Sequence, residues 1–378
     1  TILKDAASVH PVSMTEFDQA LHLFNCKNGT LDLRTMEFRE HRPEDFLTKV
    51  SPVIYAPDAD CPRWRTFITE IMQGDKARAD YLQKAIGYSL TGDTRMECLF
   101  ILYGPTSRNG KGTTMESILR IMGEYGKNAD PTMLQAKFNS QSGGPSEEIA
   151  RLAGSRFVNI SEPEKKITLD AALTKRLTGN DTIIARYLHE NSFEFRPNFK
   201  IFINTNHRPN ITDLTLFESG RIKIIPFDRH FEENEQDKDL KSTFAKPENM
   251  SGILNWMLEG YKLFRSQGLA MPDSVVQATT DYQIFSDKMG QFFDECIEEK
   301  EGCELRRGAV YTRYKEWCGE NGYRAEAAKN LNQEIEKRYK TARKRPNDGA
   351  SSSTTPMVLD VAFTASEESK EDFAPLTS

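Results

Sequence analysis

A chain of 378 residues has room for two or three domains around a sizeable core, and its net charge of −6 excludes a globally basic nucleic-acid binder. Six cysteines (Cys26, Cys61, Cys98, Cys296, Cys303 and Cys318) lack both a Cys-x-x-Cys pair and a histidine at zinc-finger spacing, so they read as reduced cytosolic thiols. No apolar run is long enough to span a bilayer and residues 1–20 lack a secretory hydrophobic region, so a cytoplasmic protein without a membrane partner is expected; the start at Thr1 instead of methionine reads as a piece excised from a longer polypeptide.

Residues 1–60 predict short strands and turns, with Asn28-Gly29 turning into an alternating strand at Thr30-Leu31-Asp32-Leu33. Two amphipathic helices follow between Asp58 and Asp93. One carries Trp64, Phe67, Ile68, Ile71 and Met72 on a single face, the other Leu82, Ala85, Ile86 and Leu90. Packing explains these aromatics, and the pair reads as a helical collar.

Cys98 to Tyr103 is a short apolar strand that runs into Gly104-Pro105-Thr106-Ser107-Arg108-Asn109-Gly110-Lys111-Gly112-Thr113-Thr114. A helix then carries Met115, Ile118, Leu119 and Met122 inward. Strand, glycine-bounded loop, lysine and helix are the parts of a phosphate-binding loop. Backbone N–H groups and the helix N-terminus face phosphate oxygens, and Lys111 adds a full charge. The expected cofactor is a nucleoside triphosphate. The pattern departs from the consensus in two ways: five residues instead of four separate Gly104 from Gly110, and Gly112 stands where Ser or Thr normally ligates Mg²⁺. Thr113 is the nearest hydroxyl.

Gly123 to Gly154 is rich in Gly, Ser, Asn and Pro and predicts a long mobile loop. Arg156 to Ser161 is a strand followed directly by Glu162-Pro163-Glu164. Paired acid at a strand tip behind a phosphate loop suits one carboxylate on the metal and one polarising the attacking water. Glu162 is assigned to the metal and Glu164 to the water, the exchanged assignment being the alternative. Leu169, Ala172, Leu173 and Leu177 mark a helix ended by Gly179. Asp181–Leu188 and Phe193–Pro197 predict a hairpin around His189-Glu190-Asn191-Ser192, and Phe199 to Asn204 another strand. Asn206 then lies where a polar side chain reaches a γ-phosphate or its water, while His207 reads as a turn residue. Arg221 opens the strand Arg221 to Phe227, placed to neutralise charge on a neighbouring subunit's nucleotide or simply to sit at a surface strand end.

Asp228 to Asp239 reads as an acidic loop. A helix from near Ser251 carries Ile253, Met257, Tyr261 and Phe264 inward before Gly268. From Asp287, two or three helices have apolar faces at Phe292/Phe293/Cys296/Ile297, Val310/Tyr311/Tyr314/Trp317 and Leu331/Ile335/Tyr339. A basic cluster follows (Lys337, Arg338, Lys340, Arg343, Lys344, Arg345), then a flexible loop, a strand from Met357 to Phe363, and an acidic tail from Ala365 that reads as disordered.

The order GPTSRNGKGT, NISEPEKKITLDAALTKRLTGNDTIIARYLHENSFEFRP, IFINTNHRP and RIKIIPF resembles the superfamily 3 helicases, above all the C-terminal helicase domain of phage and plasmid primases and the poxvirus primase-helicase. The Lys175 to Asp181 block is its most specific part. The resemblance implies an α/β, AAA+-like P-loop NTPase core at 94–230, behind an N-terminal strand/turn region and collar at 1–93. A helical connector at 231–274, a winged-helix-like domain at 275–363 and the tail at 364–378 complete the expected order. It implies ATP and Mg²⁺ as cofactors, with Thr113 and Glu162 at the metal, Lys111 on the β and γ phosphates, Asn206 as sensor and Arg221 as a finger acting across a subunit boundary. It also implies a homo-oligomeric ring, usually a hexamer, acting on single-stranded or forked DNA, with a primase or polymerase domain fused or associated. Translocation that ignores sequence needs basic, backbone-directed contacts. Lys175, Arg176, Arg186, His189 and Lys200 around the hairpin are the candidates there, with Lys340, Arg343 and Lys344 in the C-terminal module, where a partner contact is the alternative. Two rivals are an ATP-dependent initiator or scaffold without robust unwinding, and a P-loop kinase, since Gly-Lys-Gly-Thr also occurs in adenylate kinases.

Overall fold

The structure, a computed structural model, describes residues 13, 16–136, 147–161, 167–323, 325–344 and 354–364. The chain divides into two compact units, Thr1–Gln283 and Ile284–Ser378. The segments expected to be collar, core and connector all fall in the first.

The first unit opens with an antiparallel sheet of β1 (Leu23–Cys26), β2 (Gly29–Asp32) and β3 (Glu37–Arg39). Helices α1 (Pro62–Ile71) and α2 (Lys76–Tyr88) follow, the latter capped by Asp75, whose carboxylate accepts from the Arg78 amide. The apolar run at Leu99–Tyr103 forms β4, and α3 (Lys111–Met122) leaves the phosphate loop. Next come β5 (Gly126–Ala129), the short α4 (Glu147–Ala150), β6 (Phe157–Ser161) and α5 (Ala171–Thr178). Then β7 (Ile183–Ala185) and β8 (Phe193–Phe195) form the expected hairpin. After it lie β9 (Lys200–Thr205), α6 (Thr215–Glu218), β10 (Ile222–Pro226), α7 (Leu240–Phe244), α8 (Pro247–Gln267) and α9 (Asp273–Ser286).

Five of these strands build a parallel sheet in the order β10-β4-β9-β6-β5. Successive side chains leave a strand on opposite faces. Leu99 and Ile101 therefore enter one core with Val158, Ile203 and Ile224, while Phe100 and Leu102 enter another with Phe202, Phe157 and the apolar faces of α1, α2, α3 and α8. Phe100, Phe202 and Phe157 stack across three strands at centroid spacings of 4.8 Å. A sheet buried on both faces explains why its inner strands read as continuous apolar runs. Helix α2 lies so close to α8 that a Cβ on Gly260 would sit 2.1 Å from the Gln83 carbonyl, and Gln83 Nε2 donates to Trp256 O at 2.8 Å.

Two expectations are corrected here. The Gly123–Gly154 stretch is not a single loop: it supplies β5, an edge strand paired along β6, and α4, while residues 137–146 lie outside the described residues. The long helix starts at Pro247, four residues before Ser251, with proline in its first turn.

The second unit contains α10 (Lys288–Cys296), β11 (Ile297–Arg306), α11 (Arg307–Glu320), α12 (Ala328–Arg338), β12 (Thr341–Lys344) and β13 (Thr355–Phe363). Its three strands pair antiparallel in the order β11-β13-β12 over a core of Phe292, Tyr314, Trp317, Leu331, Ile335 and Val358. Strand β11 was not expected, because its acidic Glu298–Glu301 stretch is exposed and interrupted by a register shift between Glu299 and Glu304. Arg345, the loop that follows and the 365–378 tail lie outside the described residues. Among the described residues no helix is long and apolar enough to cross a membrane.

Candidate functional site

The parallel sheet sends the carboxyl ends of β4, β9 and β6 to one edge, and the phosphate loop stands there between β4 and α3. The backbone is left-handed at Arg108 (φ 56) and Gly110 (φ 84), a pattern that turns successive N–H groups to one side. Gly110 is required twice over, since a Cβ there would also lie 2.4 Å from Ile71 Cγ2 of α1. Asn109, buried, pins the loop by donating to Thr106 O at 2.6 Å.

Lys111 is 3% exposed. Its Nζ donates to Gly104 O at 3.3 Å and to Asn206 Oδ1 at 2.7 Å, so two residues predicted from separate motifs meet. Because the Asn206 carbonyl accepts from lysine, its amide nitrogen is the group left to address a ligand. A cavity of 310 Å³ opens beside them, lined by residues of the loop from Ser107 to Thr113, with Ser161, Asn204, Asn206 and Lys241 around it. Its size, buried ammonium and row of backbone donors fit a triphosphate. Thr114 Oγ1 donates to Gly110 O at 2.9 Å and is fully buried, whereas Thr113 lines the cavity. Gly112 has open space around its Cα, so its missing hydroxyl is not imposed by packing. Glu162 and Glu164 lie outside the described residues, as do the roles assigned to them. Among the described residues no group of three or more His, Cys, Asp and Glu side chains is disposed to hold a metal.

Sequence reasoning missed two features. The first is the segment behind β10, expected as an acidic loop. Its Phe231 amide donates to Arg108 O at 2.9 Å and the His230 Nδ1–H donates to Ser107 O at 2.9 Å, so it buttresses the phosphate loop. A second cavity of 210 Å³ shares Arg108, Gly110 and Thr113 with the first and is walled by Phe67, Phe231 and Leu240. The second is a polar ladder over three strands. Asn128 and Asn159 face each other across β5 and β6, as do Ser161 and Asn204 across β6 and β9. Asn159 Nδ2 donates to Asn128 Oδ1 and to Ser161 Oγ, both at 2.8 Å, and Asn204 Nδ2 donates to Ser161 Oγ at 2.9 Å. The signal was present as polar interruptions in otherwise apolar strands, FVNIS and KIFINT.

Arg221 lies at the opposite edge of the sheet. Its carbonyl accepts from Leu99 N at the start of β4, one five-residue strand, or about 16 Å, from the phosphate loop. Its guanidinium donates to Glu97 Oε2 at 2.7 Å and to Thr178 Oγ1 at 2.9 Å. The Lys175–Asp181 block clasps this corner: Asn180 Nδ2 reaches Glu97 Oε1 at 3.4 Å, and Lys175 Nζ is bonded to Asp213 at 2.9 Å and Thr215 at 2.7 Å.

Among the residues expected at DNA, Arg176, Arg186 and His189 are exposed, and so are Lys340 and Arg343. Lys344 is paired with Glu304. Lys200 is corrected outright. It is 2% exposed, its ammonium donates to Thr91 O and Asp93 O, and it lies 4.5 Å from the centre of the Tyr88 ring. Burial, reinforced by Arg156, holds its pKa well below the ordinary lysine value. Lys200→Ala is therefore expected to cost about 3 kcal/mol, by opening a cavity and orphaning two carbonyls. Between the depressed folded pKa and 10.5 the unfolded chain binds more protons, so wild-type stability rises with pH and the gap to the variant widens. Urea titrations at neutral and alkaline pH check both statements.

Residues 1–73 match the model described as D5 N terminal like, residues 285–364 the one described as Poxvirus D5 protein-like, and residues 102–221 a family of unknown function, DUF5906. Similar proteins bearing the name "Putative helicase" include L207/L206 of Acanthamoeba polyphaga mimivirus, 26% identical over 85% of this chain and 35% of its own length. Another is 022R of Frog virus 3 (isolate Goorha), 25% identical over 78% of this chain and 30% of its own. V13 of Sputnik virophage is 24% identical over 57% of this chain and 29% of its own. The chain thus spans about a third of the length of the curated relatives it matches. Among solved structures, the apo structure of the NrS-1 C-terminal region aligns over 82% of this chain and 78% of that one, at 12% identity and a TM-score of 0.49.

Proposed function

Because this chain belongs to the poxvirus D5-like primase-helicase family, we propose that it is the ATP-hydrolysing motor of a replication helicase of a DNA virus or related mobile element. In this reading it has an AAA+-like core, forms a ring, usually a hexamer, and moves on single-stranded DNA. The observation that carries the reading is the 2.7 Å contact between Lys111 and Asn206. It joins the phosphate loop to the end of β9, the strand that separates β4 from the acid-tipped β6. The triphosphate occupies the 310 Å³ cavity, and the ribose and base the adjoining 210 Å³ cavity between Phe67 and Phe231. Lys111 neutralises the β and γ phosphates, Asn206 orients the γ-phosphate through its amide, and Glu164 polarises the water that displaces ADP in line. Magnesium, for which the Thr113 hydroxyl and Glu162 carboxylate are suitable hard oxygen donors, would neutralise phosphate charge. Arg221, too far from its own loop, acts on the nucleotide of the neighbouring copy.

The hairpin β7–β8 with Arg186 and His189, helped by Arg176, grips the DNA backbone, and the second unit is a winged-helix-like module with basic contacts of its own from Lys340, Arg343 and Lys344. The test is ATP turnover with and without single-stranded DNA over a series of salt concentrations. A several-fold stimulation that fades as salt rises is expected, because released counterions drive the contact. Turnover indifferent to DNA contradicts the motor, and phosphate transfer to a nucleoside monophosphate would install the kinase.

A further inference from the structure

Ser161 ends β6 and is exposed to the cavity that holds the loop, Asn204 and Asn206. A serine hydroxyl has one proton to donate and two lone pairs to accept with. Here both lone pairs are engaged from below, by Asn159 Nδ2 at 2.8 Å and Asn204 Nδ2 at 2.9 Å. Those amides belong to side chains 4% and 6% exposed, each held in strand register, so water does not compete for the arrangement. The proton of Ser161 is the remaining group, and the cavity is where it can go. An oxygen so committed can neither ligate a cation nor take a proton from water. It can only donate.

We propose that Ser161 donates a hydrogen bond to the γ-phosphoryl group in the triphosphate cavity, its proton aimed there by the two buried asparagine amides. The inference rests on the ATPase reading above and adds to it a donor fixed on the sheet and independent of both Lys111 and Asn206. Charge that accumulates on the equatorial phosphoryl oxygens during transfer is stabilised best by donors that need no reorganisation. A hydroxyl whose rotor is locked by two acceptor bonds meets that condition.

The test compares Ser161→Ala and Ser161→Thr with wild type and Lys111→Ala. It reads kcat, binding of a fluorescent ATP analogue, the Mg²⁺ concentration for half-maximal turnover, and thermal midpoint. Ser161→Ala is expected to lose about 10²-fold in kcat, the scale of one preorganised donor, with analogue affinity and Mg²⁺ requirement unchanged; its thermal midpoint falls because two buried amides lose an acceptor, and kcat is read well below that midpoint. Ser161→Thr, which keeps the hydroxyl, is expected to restore kcat. Wild-type kcat in Ser161→Ala would overturn the proposal and mean that the proton turns inward to an asparagine carbonyl. A raised Mg²⁺ requirement would overturn it by giving a lone pair to the metal. Absence of Lys111-dependent turnover in the wild type would instead remove the ATPase reading itself, and this inference with it.

Discussion

Lys111→Ala is expected to reduce ATP turnover by about 10³-fold while the protein stays folded. The magnitude follows from what the side chain does: a single preorganised donor at a developing charge is worth 10²- to 10³-fold, and Lys111 contributes a full positive charge from a side chain that is itself buried. The affinity for ATP should fall less, about 10- to 100-fold, the scale of one or two charge-assisted hydrogen bonds. The fold survives because alanine is the best helix former and Lys111 is the first residue of α3. The cost is the loss of the bonds to Gly104 O and Asn206 Oδ1. Single-turnover hydrolysis, analogue binding and a melting curve on the same sample measure the three quantities. Turnover reduced only in proportion to affinity would mean that Lys111 binds nucleotide without serving the transfer step.

The second large effect is at Arg221. Removing an arginine finger costs 10³- to 10⁵-fold in phosphoryl transfer, so Arg221→Ala is expected to lose at least about 10³-fold in turnover, with nucleotide affinity in isolated subunits unchanged. Its ion pair with Glu97 supplies the control. With Arg221 17% and Glu97 41% exposed, that pair contributes about 1 kcal/mol or less to stability. Glu97→Ala breaks the same pair but keeps the guanidinium, and should leave turnover within a few-fold of wild type. If Arg221 merely steadies the corner formed by Glu97, Thr178 and Asn180, the two substitutions will behave alike. If it acts on a neighbour's nucleotide, only one of them will be inactive. Steady-state turnover of both variants decides between these outcomes.

Much of this was readable in the sequence for a physical reason. Strands buried on both faces need apolar residues at every position, which makes LFILY and IKIIP stand out. The loop motif lies directly behind one such strand. Asn206 was singled out by its place at the end of a strand, and the structure sets it against Lys111. The strand GKNA was not legible: an edge strand buries little, and its Lys127 and Asn128 are exposed. The acidic segment behind β10 looked like solvent-exposed loop because its structural role rests on the backbone amide of Phe231 and one imidazole, and composition does not register main-chain donors.

Lys200 misled for the opposite reason. Lysine is almost never fully buried unless paired, and the carbonyls of Thr91 and Asp93 that hold it are more than a hundred residues away in the chain. The neighbours that define Ser161 as a donor lie on two different strands. Only the register of the sheet brings Asn128, Asn159 and Asn204 into one ladder.

On the proposed mechanism each ATP site is built from two copies of the chain, Lys111 on one side and Arg221 on the other. Mixing Lys111→Ala with Arg221→Ala protein tests it most directly, with DNA-stimulated ATP turnover as the readout. Each variant alone should be inactive, and mixtures should recover part of the wild-type rate, because some interfaces then pair an intact loop with an intact arginine. Mixtures that remain inactive at every ratio, although both variants exchange subunits with wild type, would contradict a shared site.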